Sequence, residues 1–459
     1  MKDLIVIGGG PGGYVAAIRA RQLGMQVALV EKAEMGGTCL NRGCIPTKAY
    51  YKNAQVLNTL HRAGDFNIEI DSFRFNLEKA KNRKDKIVDN LVLGINKLVK
   101  ANGVEIINGE ASIIDNQTVA VNGTRIKAYN ILIASGSETA SLPIKGIDLD
   151  GVLSSDDILD ITEIPEKLAI IGGGVIGLEF AGIFSAFGSE VVIFEYLPRI
   201  LNGLDGELGK RMGVFVKRQK TRIYANTSVE AIQRKGNRLE IQARDKKGPI
   251  SWEADLVLAA GGRKPYTRGL NLEEVGIERD KNGFIKVDEN YTTSVQNVYA
   301  IGDVIGGQML AHVASEEGIA AVEKMAGIDS RLHYHAVPSC IFTFPEIASV
   351  GMSEEDARGR NIDYKIGRFQ FAANGKAVTL GEIDGMVKVI ADSEDVIIGI
   401  HIIGPHASDL ILEGTLIVKN HLKTSEIPGT IHPHPTLGEA LIEAILDVKK
   451  QAIHLAPKR

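Results

Sequence analysis

The chain has 459 residues, a length that corresponds to about three domains of ordinary size. Its 53 Lys and Arg residues nearly balance 57 Asp and Glu residues, and only 5% of residues are aromatic, so neither a basic nucleic-acid surface nor a row of base-stacking platforms is expected. The 50 glycines form clusters without a fixed period, which excludes a collagen-like or low-complexity chain.

The cysteines and the apolar segments indicate the compartment. Three cysteines are too few for a disulfide scaffold, and they favour a reducing environment. The apolar run at residues 4–7 is too short for a signal peptide. The apolar segment 168–188 contains six glycines and Glu179, which is unsuitable for a membrane span. We therefore expect a cytoplasmic protein that does not bind a membrane.

One pattern of strand, glycine-rich turn, helix and strand occurs twice, and its landmarks recur 164 residues later. The first copy consists of a strand at 4–7, the turn Gly8-x-Gly10-x-x-Gly13, a helix at 14–23, a strand at 27–30 and Glu31. The second copy consists of a strand at 168–171, the turn Gly172-x-Gly174-x-x-Gly177, a helix that stops at Gly188, a strand at 191–194 and Glu195. Two unrelated tight turns would not reproduce all these landmarks in register.

The repeated pattern is the one that binds dinucleotides. Its first glycine makes the turn, the second lets a pyrophosphate approach the backbone, and the third lets the helix pack on the strand. The helix N-terminus offers free N–H groups and a positive dipole end. The acid at the end of the second strand can accept hydrogen bonds from ribose hydroxyls. We therefore predict two bound dinucleotides.

The remaining predicted elements complete these units and add another. Strands are predicted at 130–134, 255–260 and 297–301. Asp303 follows the last of these strands, at the sheet edge where ligands of α/β folds bind. From about residue 336, strands are predicted at 339–343, 386–391 and 396–403, and helices at 407–420 and 437–449. This segment is predicted to form a separate α+β domain.

Cys39 and Cys44 are candidates for a redox pair. Five helical residues rise about 7.5 Å, whereas a disulfide needs Cα atoms roughly 4.4–6.8 Å apart, so a bridge requires an irregular backbone. Gly43 and Pro46 would permit one, with Cys44 near a helix N-terminus, where a thiolate is stabilised. Two unlinked buried thiols remain the alternative. A metal site is disfavoured because no further Cys or His lies nearby, and Cys340 is predicted to be a core residue.

A dithiol beside a dinucleotide site implies a cofactor that passes an electron pair between thiols and a hydride carrier. Flavin does this. Because the cysteines directly follow the first unit, we predict that this unit holds the flavin dinucleotide. The second unit would then hold the nicotinamide dinucleotide.

Several motifs of the chain together resemble the flavin-dependent pyridine nucleotide–disulfide oxidoreductases, and within them the dihydrolipoyl dehydrogenase branch. The motifs are the two glycine-rich turns and the segments 37–48, 262–265, 300–303, 309–312 and 432–439. The chain departs from the family pattern at Arg42, where the family usually has an aliphatic residue, and at Gly438, where it often has Ser. Neither departure removes a reacting group.

The resemblance implies an α/β fold with two Rossmann-like domains and a C-terminal α+β dimerisation domain. The predicted divisions are 1–143 for FAD, 144–266 for NAD, 267–335 completing the FAD site, and 336–459 for the subunit interface. Cys39 would exchange with substrate, Cys44 would face the flavin, and Lys48 would lie near the flavin and pair with Glu179. Without the family, Lys48 and Glu179 read as solvated charges.

The resemblance also implies two sets of cofactor contacts. The FAD contacts would be Gly8, Gly10, Gly13, Glu31, Lys48, Ala111, Gly136, Asp303 and Ala311. The NAD contacts would be Gly172, Gly174, Gly177, Glu195, Val229, Gly262 and the rest of the 260–263 turn. No metal is predicted.

His434 and Glu439 can be read in two ways. Thr436-x-x-Glu439 has the spacing of a capping box, and His434 could be a simple turn residue in a Pro-flanked loop. The family resemblance instead implies that His434 is a base and Glu439 its orienter, both contributed by the partner of a homodimer.

The predicted function is oxidation of dihydrolipoamide on a lipoylated protein, with NAD⁺ as acceptor, in a 2-oxoacid dehydrogenase or glycine cleavage complex. One alternative is a glutathione-reductase-like disulfide reductase, which would prefer NADPH. Glu195 opposes a ribose 2′-phosphate, although Arg199 is nearby. A second alternative is an assembly subunit that binds the cofactors without turnover, which the intact cysteine pair and His434 disfavour.

Overall fold

The computed structural model describes residues 1–456, and residues 457–459, the end of the predicted C-terminal domain, lie outside the described residues. Within 1–456, no helix combines the length and the apolar composition needed to cross a bilayer. Three large sheets organise the chain, and the two repeated units build the first two.

The first unit is built around β1, which lies between β2 and β6 with all three strands parallel. The described elements are β1 (Lys2–Ile7), α1 (Pro11–Gln22), β2 (Val27–Glu31), α2 (Gly37–Arg42), α3 (Cys44–His61), α4 (Leu77–Ala101), β3 (Glu105–Asn108), β4 (Ala111–Asp115), β5 (Thr118–Val121), β6 (Thr124–Ile133) and β7 (Ser137–Thr139). β2 is buried along its whole length and β1 over its last four residues, which explains their continuous apolar runs.

The second unit repeats this order, with β9 between β10 and β15 in a parallel five-stranded sheet. Its elements are β8 (Val152–Leu153), β9 (Lys167–Ile171), α5 (Val175–Phe187), β10 (Glu190–Phe194), α6 (Gly206–Arg218), β11 (Arg222–Tyr224), β12 (Ser228–Lys235), β13 (Arg238–Asp245), β14 (Gly248–Ala254), β15 (Leu256–Ala259) and β16 (Arg263–Pro265). Strands β12, β13 and β14 form an antiparallel sheet, as β4, β5 and the start of β6 do in the first unit.

The third glycine of each turn is required by close packing. A Cβ atom on Gly13 would lie 1.8 Å from the carbonyl oxygen of Gly8, and one on Gly177 would lie 2.0 Å from that of Gly172. Helices α1 and α5 therefore press directly on the turns that precede them. The first helix begins at Pro11, three residues before its predicted start, because proline is well suited to a first helical turn.

The segment after the second unit returns to the first sheet. Its elements are α7 (Leu272–Val275), β17 (Val298–Ala300) and α8 (Ala311–Met325). β17 pairs in parallel with β6 and becomes the seventh strand of the first sheet. Asp303 therefore reaches the carboxyl edge of that sheet, where the turn of the first unit also lies.

The C-terminal part is an antiparallel five-stranded sheet covered by helices. Its elements are β18 (Ser339–Ile341), β19 (Glu346–Gly351), α9 (Glu354–Gly359), β20 (Tyr364–Gln370), α10 (Gly375–Leu380), β21 (Met386–Asp392), β22 (Ile397–Gly404), α11 (Ala407–Lys419) and α12 (Glu439–Val448). Apolar residues of β21 and β22 pack against α11 and α12 to form one core. This α+β unit and the two Rossmann-like units confirm the predicted fold class.

Candidate active site

A break between two helices brings Cys39 and Cys44 together. Cys39 lies in α2, Cys44 is the first residue of α3, and Gly43 between them has φ −137° and ψ −112°. A Cβ atom on Gly43 would lie 2.9 Å from the carbonyl oxygen of Thr38 and 3.3 Å from the Cα of Cys39. Glycine is therefore needed for this close approach, and the irregular backbone that the spacing requires is present.

The two cysteines are thiols that hydrogen-bond to each other, and they differ in acidity. The bond from Cys39 and then the charge of Lys48 lower the pKa of Cys44 to about 7, against the opposing effects of burial and Glu179. The same bond and burial raise the pKa of Cys39. The position of Cys44 at the start of α3 adds the favourable end of a helix dipole. Cys44 is therefore the thiol that ionises and Cys39 the one that keeps its proton.

Lys48, one helical turn after Cys44, forms an ion pair with Glu179 of α5. The Lys48 Nζ atom lies 2.9 and 3.0 Å from the two carboxylate oxygens. The Glu179 side chain is only 7% exposed, and it also accepts a bond of 3.0 Å from the backbone N–H of Phe342. The Lys48 Nζ atom lies 4.5 Å from the ring centroid of Phe342. Phe342 was not predicted, because a backbone donor leaves no sequence signal.

The acids that end β2 and β10 hold their glycine-rich turns in the same way. One oxygen of Glu31 accepts from the N–H of Gly9 at 2.6 Å, and one oxygen of Glu195 accepts from the N–H of Gly173 at 2.5 Å. In both carboxylates the other oxygen accepts from the N–H two residues further on, at 2.8 and 2.6 Å respectively. Each oxygen keeps a second lone pair, which is available to a ribose hydroxyl.

The helix N-termini above the two turns fit a pyrophosphate. Gly10 and Gly174 are the N-caps of α1 and α5, both have extended backbones, and neither helix has a side-chain cap. A Cβ atom on Gly174, Gly136 or Gly262 would meet nothing within 4 Å, so the backbone is accessible at all three. The donors that a dinucleotide needs are therefore present in both units.

Ala111 and Val229 occupy matching places. The backbone N–H two residues before Ala111 donates to the carbonyl oxygen of Glu31 at 2.9 Å. The backbone N–H two residues before Val229 donates to the carbonyl oxygen of Glu195, also at 2.9 Å. Ala111 begins β4, and Val229 is in β12, the corresponding strand of the second unit. The structure thus brings Ala111 near Glu31 and Val229 near Glu195, the acid predicted to contact the same dinucleotide.

A chain of hydrogen bonds joins Asp303 to the cysteine segment. Ser137 donates to Asp303 at 2.5 Å, and Arg263 donates to the Ser137 hydroxyl and carbonyl oxygens at 2.7 Å each. Arg263 also reaches the hydroxyl of Thr38 at 3.5 Å. The Arg263 side chain therefore points to the first unit, and the contact of the 260–263 turn with the nicotinamide dinucleotide stays a prediction. Ala311 is the first residue of α8, whose N-terminus has no side-chain cap.

His434 and Glu439 form a pair at the start of α12. The His434 Nδ1 atom lies 2.8 Å from one oxygen of Glu439, and the other oxygen accepts from the N–H of Thr436 at 2.8 Å. Burial raises the pKa of Glu439, but these two partners outweigh it and hold the pKa below its usual value. An ionised Glu439 keeps the proton of His434 on Nδ1 and leaves Nε2 as the basic atom.

The capping box predicted at Thr436 is only half formed. The hydroxyl of Thr436 donates to the carbonyl of Pro433, and the N-cap of α12 is Gly438, so the helix begins at Glu439 and not at Leu437. The His434 side chain is 77% exposed. Within residues 1–456, its hydrogen bond goes to Glu439 and none goes to either cysteine.

Comparison with protein families identifies the chain. Residues 2–318 match the model described as pyridine nucleotide-disulphide oxidoreductase, and residues 337–445 match the dimerisation domain of the same group. The chain belongs to this family. Membership confirms the predicted cofactors, FAD and NAD, and the predicted homodimer.

Individual relatives match along nearly the whole chain. Dihydrolipoamide dehydrogenase of Chaetomium thermophilum is 42% identical, over 99% of this chain and 92% of the relative. Dihydrolipoyl dehydrogenase of Bacillus subtilis is 41% identical, over 98% of this chain and 99% of the relative. The solved structure of the HOCl-induced flavoprotein disulfide reductase RclA from Escherichia coli is 28% identical with a TM-score of 0.87, over 96% of this chain and 99% of that one.

The different acidities of the two thiols predict a spectroscopic difference. Cys39→Ser keeps a hydroxyl donor beside Cys44, so the holoenzyme should contain an unpaired Cys44 thiolate next to oxidised FAD and show a long-wavelength absorption band without reductant. The band should be lost as the pH falls through about 7, the pKa of Cys44. Lys48→Met should move that midpoint to higher pH, because a cation favours the thiolate.

Two variants serve as controls in the same titration. Cys44→Ser should have no band. Cys340→Ser should keep the wild-type spectrum, because burial raises the pKa of Cys340 to about 11 and it stays a thiol. An equal band in the Cys39 and Cys44 variants would contradict the assignment.

Proposed function

We propose that this protein is an NAD-dependent dihydrolipoyl dehydrogenase that acts through the Cys39–Cys44 pair. The observation that carries the proposal is the cysteine pair at the break between α2 and α3, with the Lys48–Glu179 ion pair one turn away. The full-length similarity to dihydrolipoyl dehydrogenases supports the choice of substrate. The first test is an assay of NADH formation from dihydrolipoamide and NAD⁺ by the purified holoenzyme.

The reaction begins with Cys39 and Cys44 joined as a disulfide. His434 takes a proton from one thiol of dihydrolipoamide, the resulting thiolate attacks the sulfur of Cys39, and Cys44 leaves as a thiolate. The second substrate thiol then attacks the substrate sulfur bound to Cys39, which closes the oxidised dithiolane, and the proton of that thiol passes to Cys39, which leaves as a thiol. A leaving group with a pKa near 7 suits this exchange. Bound FAD supplies transfer of the electron pair from the dithiol to NAD⁺.

The assigned contacts define a division of the chain. Residues 1–143 and 267–335 hold FAD, 144–266 hold NAD, and the described residues from 336 onward form the subunit interface. The largely exposed side chain of His434, whose Nδ1 atom is occupied by Glu439, supports its action on the cysteines of the other subunit. The substrate is a lipoyl group carried by a protein of a 2-oxoacid dehydrogenase or glycine cleavage complex.

The alternative disulfide reductase would use NADPH, and the second unit disfavours it. Glu195 lies where a 2′-phosphate would bind. Arg199, the cation that could offset it, donates instead to the carbonyl oxygens of Asn202 and Leu204 at 3.2 and 2.9 Å. A phosphate at this position would face the negative charge of Glu195, and Arg199 would not be free to neutralise the phosphate.

The choice between NAD and NADP tests this assignment. Wild-type kcat/KM should favour NAD⁺ over NADP⁺ by roughly a hundredfold or more, about 2.8 kcal/mol. Glu195→Gln keeps the acceptor for Gly173 but removes the charge, so it should narrow the preference chiefly by improving the use of NADP⁺. Equal kcat/KM for the two nucleotides in the wild-type enzyme would contradict the role of Glu195.

The assignment of His434 as the base predicts a selective loss of activity when this residue is replaced. His434→Gln should lower dihydrolipoamide oxidation by roughly 10²–10⁴-fold, the usual effect of a general base. Reduction of an artificial one-electron acceptor by NADH should persist, because that reaction needs no thiol exchange. His432→Gln is the control: His432 lies in the same loop and bonds to Glu413 at 2.9 Å, away from the pair. A similar loss in both variants would indicate damage to the loop.

Mixed dimers test whether the base comes from the partner. Co-expression of His434→Gln and Cys39→Ser chains should restore activity, because one site of the mixed dimer carries both lesions and the other carries neither. Absence of activity in a verified mixed dimer would mean that His434 acts in its own subunit or is not the base.

A further inference from the structure

A second ion pair is buried between the second unit and the C-terminal sheet. Lys388 of β21 is 1% exposed and Asp205, the N-cap of α6, is 0% exposed. The Lys388 Nζ atom lies 3.1 and 2.8 Å from the two oxygens of Asp205 and 2.8 Å from an oxygen of Glu354 in α9. Three acceptors thus satisfy the three donors of the ammonium group, the condition under which a buried lysine can remain charged.

The C-terminal domain holds the start of α6 with further bonds. Asp205 caps its own helix by accepting from the N–H of Glu207 at 3.0 Å, and it accepts from the N–H of Glu354 at 3.2 Å. The carboxylate of Glu355 accepts from the N–H of Gly206 at 3.1 Å with both oxygens. Residues of two domains therefore satisfy the first amides of α6, and the helix start cannot move independently of β21 and α9.

The same helix start is connected to the turn of the second unit. The segment 196–205 runs from Glu195 to α6, and Arg199 stiffens it by donating to carbonyl oxygens within it. Leu201 in this segment donates from its N–H to the carbonyl of Gly173 at 2.9 Å. Gly173 in turn donates to Glu195. A contiguous set of contacts thus leads from Lys388 to the proposed contacts of NAD.

We propose that Lys388 is a positioning residue for NAD: through Asp205 it fixes the 196–205 segment, and with it Glu195 and the turn at Gly173. The inference rests on the proposed function in one respect, the assignment of NAD to the second unit. It adds a residue of the C-terminal domain to the determinants of nucleotide binding. Lys388 touches neither nucleotide nor thiols, so its effect should appear in the nucleotide half-reaction alone.

The main test is Lys388→Met in the full-length holoenzyme. The Kd for NADH and the KM for NAD⁺ should rise by roughly tenfold, which lies within the range for a residue that acts through a chain of contacts. The kcat/KM for dihydrolipoamide and the absorption spectrum of bound FAD should be unchanged. Lys365→Met is the matched control: Lys365 lies on the neighbouring strand β20 and pairs with Asp395, so NADH binding should keep its wild-type Kd.

A double-mutant cycle separates positioning from general destabilisation. Lys388→Met leaves Asp205 buried without its cation, whereas Lys388→Met with Asp205→Asn removes both charges. The double variant should bind NADH more tightly than Lys388→Met. Glu354→Gln, which keeps the side-chain shape and weakens only one contact of Lys388, should raise the Kd by a smaller factor. This variant supplies the answer if Lys388→Met does not fold.

The outcomes are distinguishable from failure of the proposed function. If the wild-type enzyme does not oxidise dihydrolipoamide, NADH binding and NADH reduction of an artificial acceptor still test the role of Lys388. A folded Lys388→Met protein with wild-type Kd for NADH would overturn the inference. Equal losses in both half-reactions, or no recovery in the double variant, would overturn it as well.

Discussion

The ion pair between Lys48 and Glu179 is the contact on which the site depends. Glu179 is the one charged residue of α5, and an unpaired carboxylate there would cost several kcal/mol. Lys48 and the N–H of Phe342 satisfy it, and the pairing fixes α3 of the first unit against α5 of the second. Because Cys44 lies one turn before Lys48 on α3, the same contact sets the position and the charge environment of the thiols.

Two charge pairs, one partly and one fully buried, connect the three parts of the chain in series. Lys48–Glu179 joins the first unit to the second, and Lys388–Asp205 joins the second unit to the C-terminal sheet. Each pair includes a residue near the start of a helix, Lys48 in α3 or Asp205 at the N-cap of α6. Such pairs add little net stability compared with apolar packing, but they form only when the two charged groups meet in one relative position. A protein that must hold two cofactors and a dithiol in fixed relation benefits from that specificity.

The sequence predicted those features that depend on local chemistry and spacing. The turns, their helices and the terminal acids were recognised because the glycines allow the turn and the close packing, and because the acid at the strand end can bind ribose hydroxyls. The repeat supplied a second copy of each feature. Phe342 and Ser137 were missed because they act through backbone groups or through partners more than 100 residues away. Lys388 sits in an apolar strand with no local feature that distinguishes a buried ion pair from a solvated lysine. Glu439 was predicted both as an orienter and as a cap, and its two oxygens serve one partner each.

The repeat also explains why one unit carries thiol chemistry and the other only binds. At the offset of 164 residues, Cys44 and Lys48 of α3 correspond to Leu208 and Met212 of α6. Both of these residues are apolar and fully buried in the second unit. At the corresponding positions, α3 instead presents a thiol and an ammonium group. The two units share the turn, the acid and the helix that a dinucleotide requires. The first unit therefore differs from the second by two side chains on one helix face, Cys44 and Lys48, and by Cys39 before the break at Gly43.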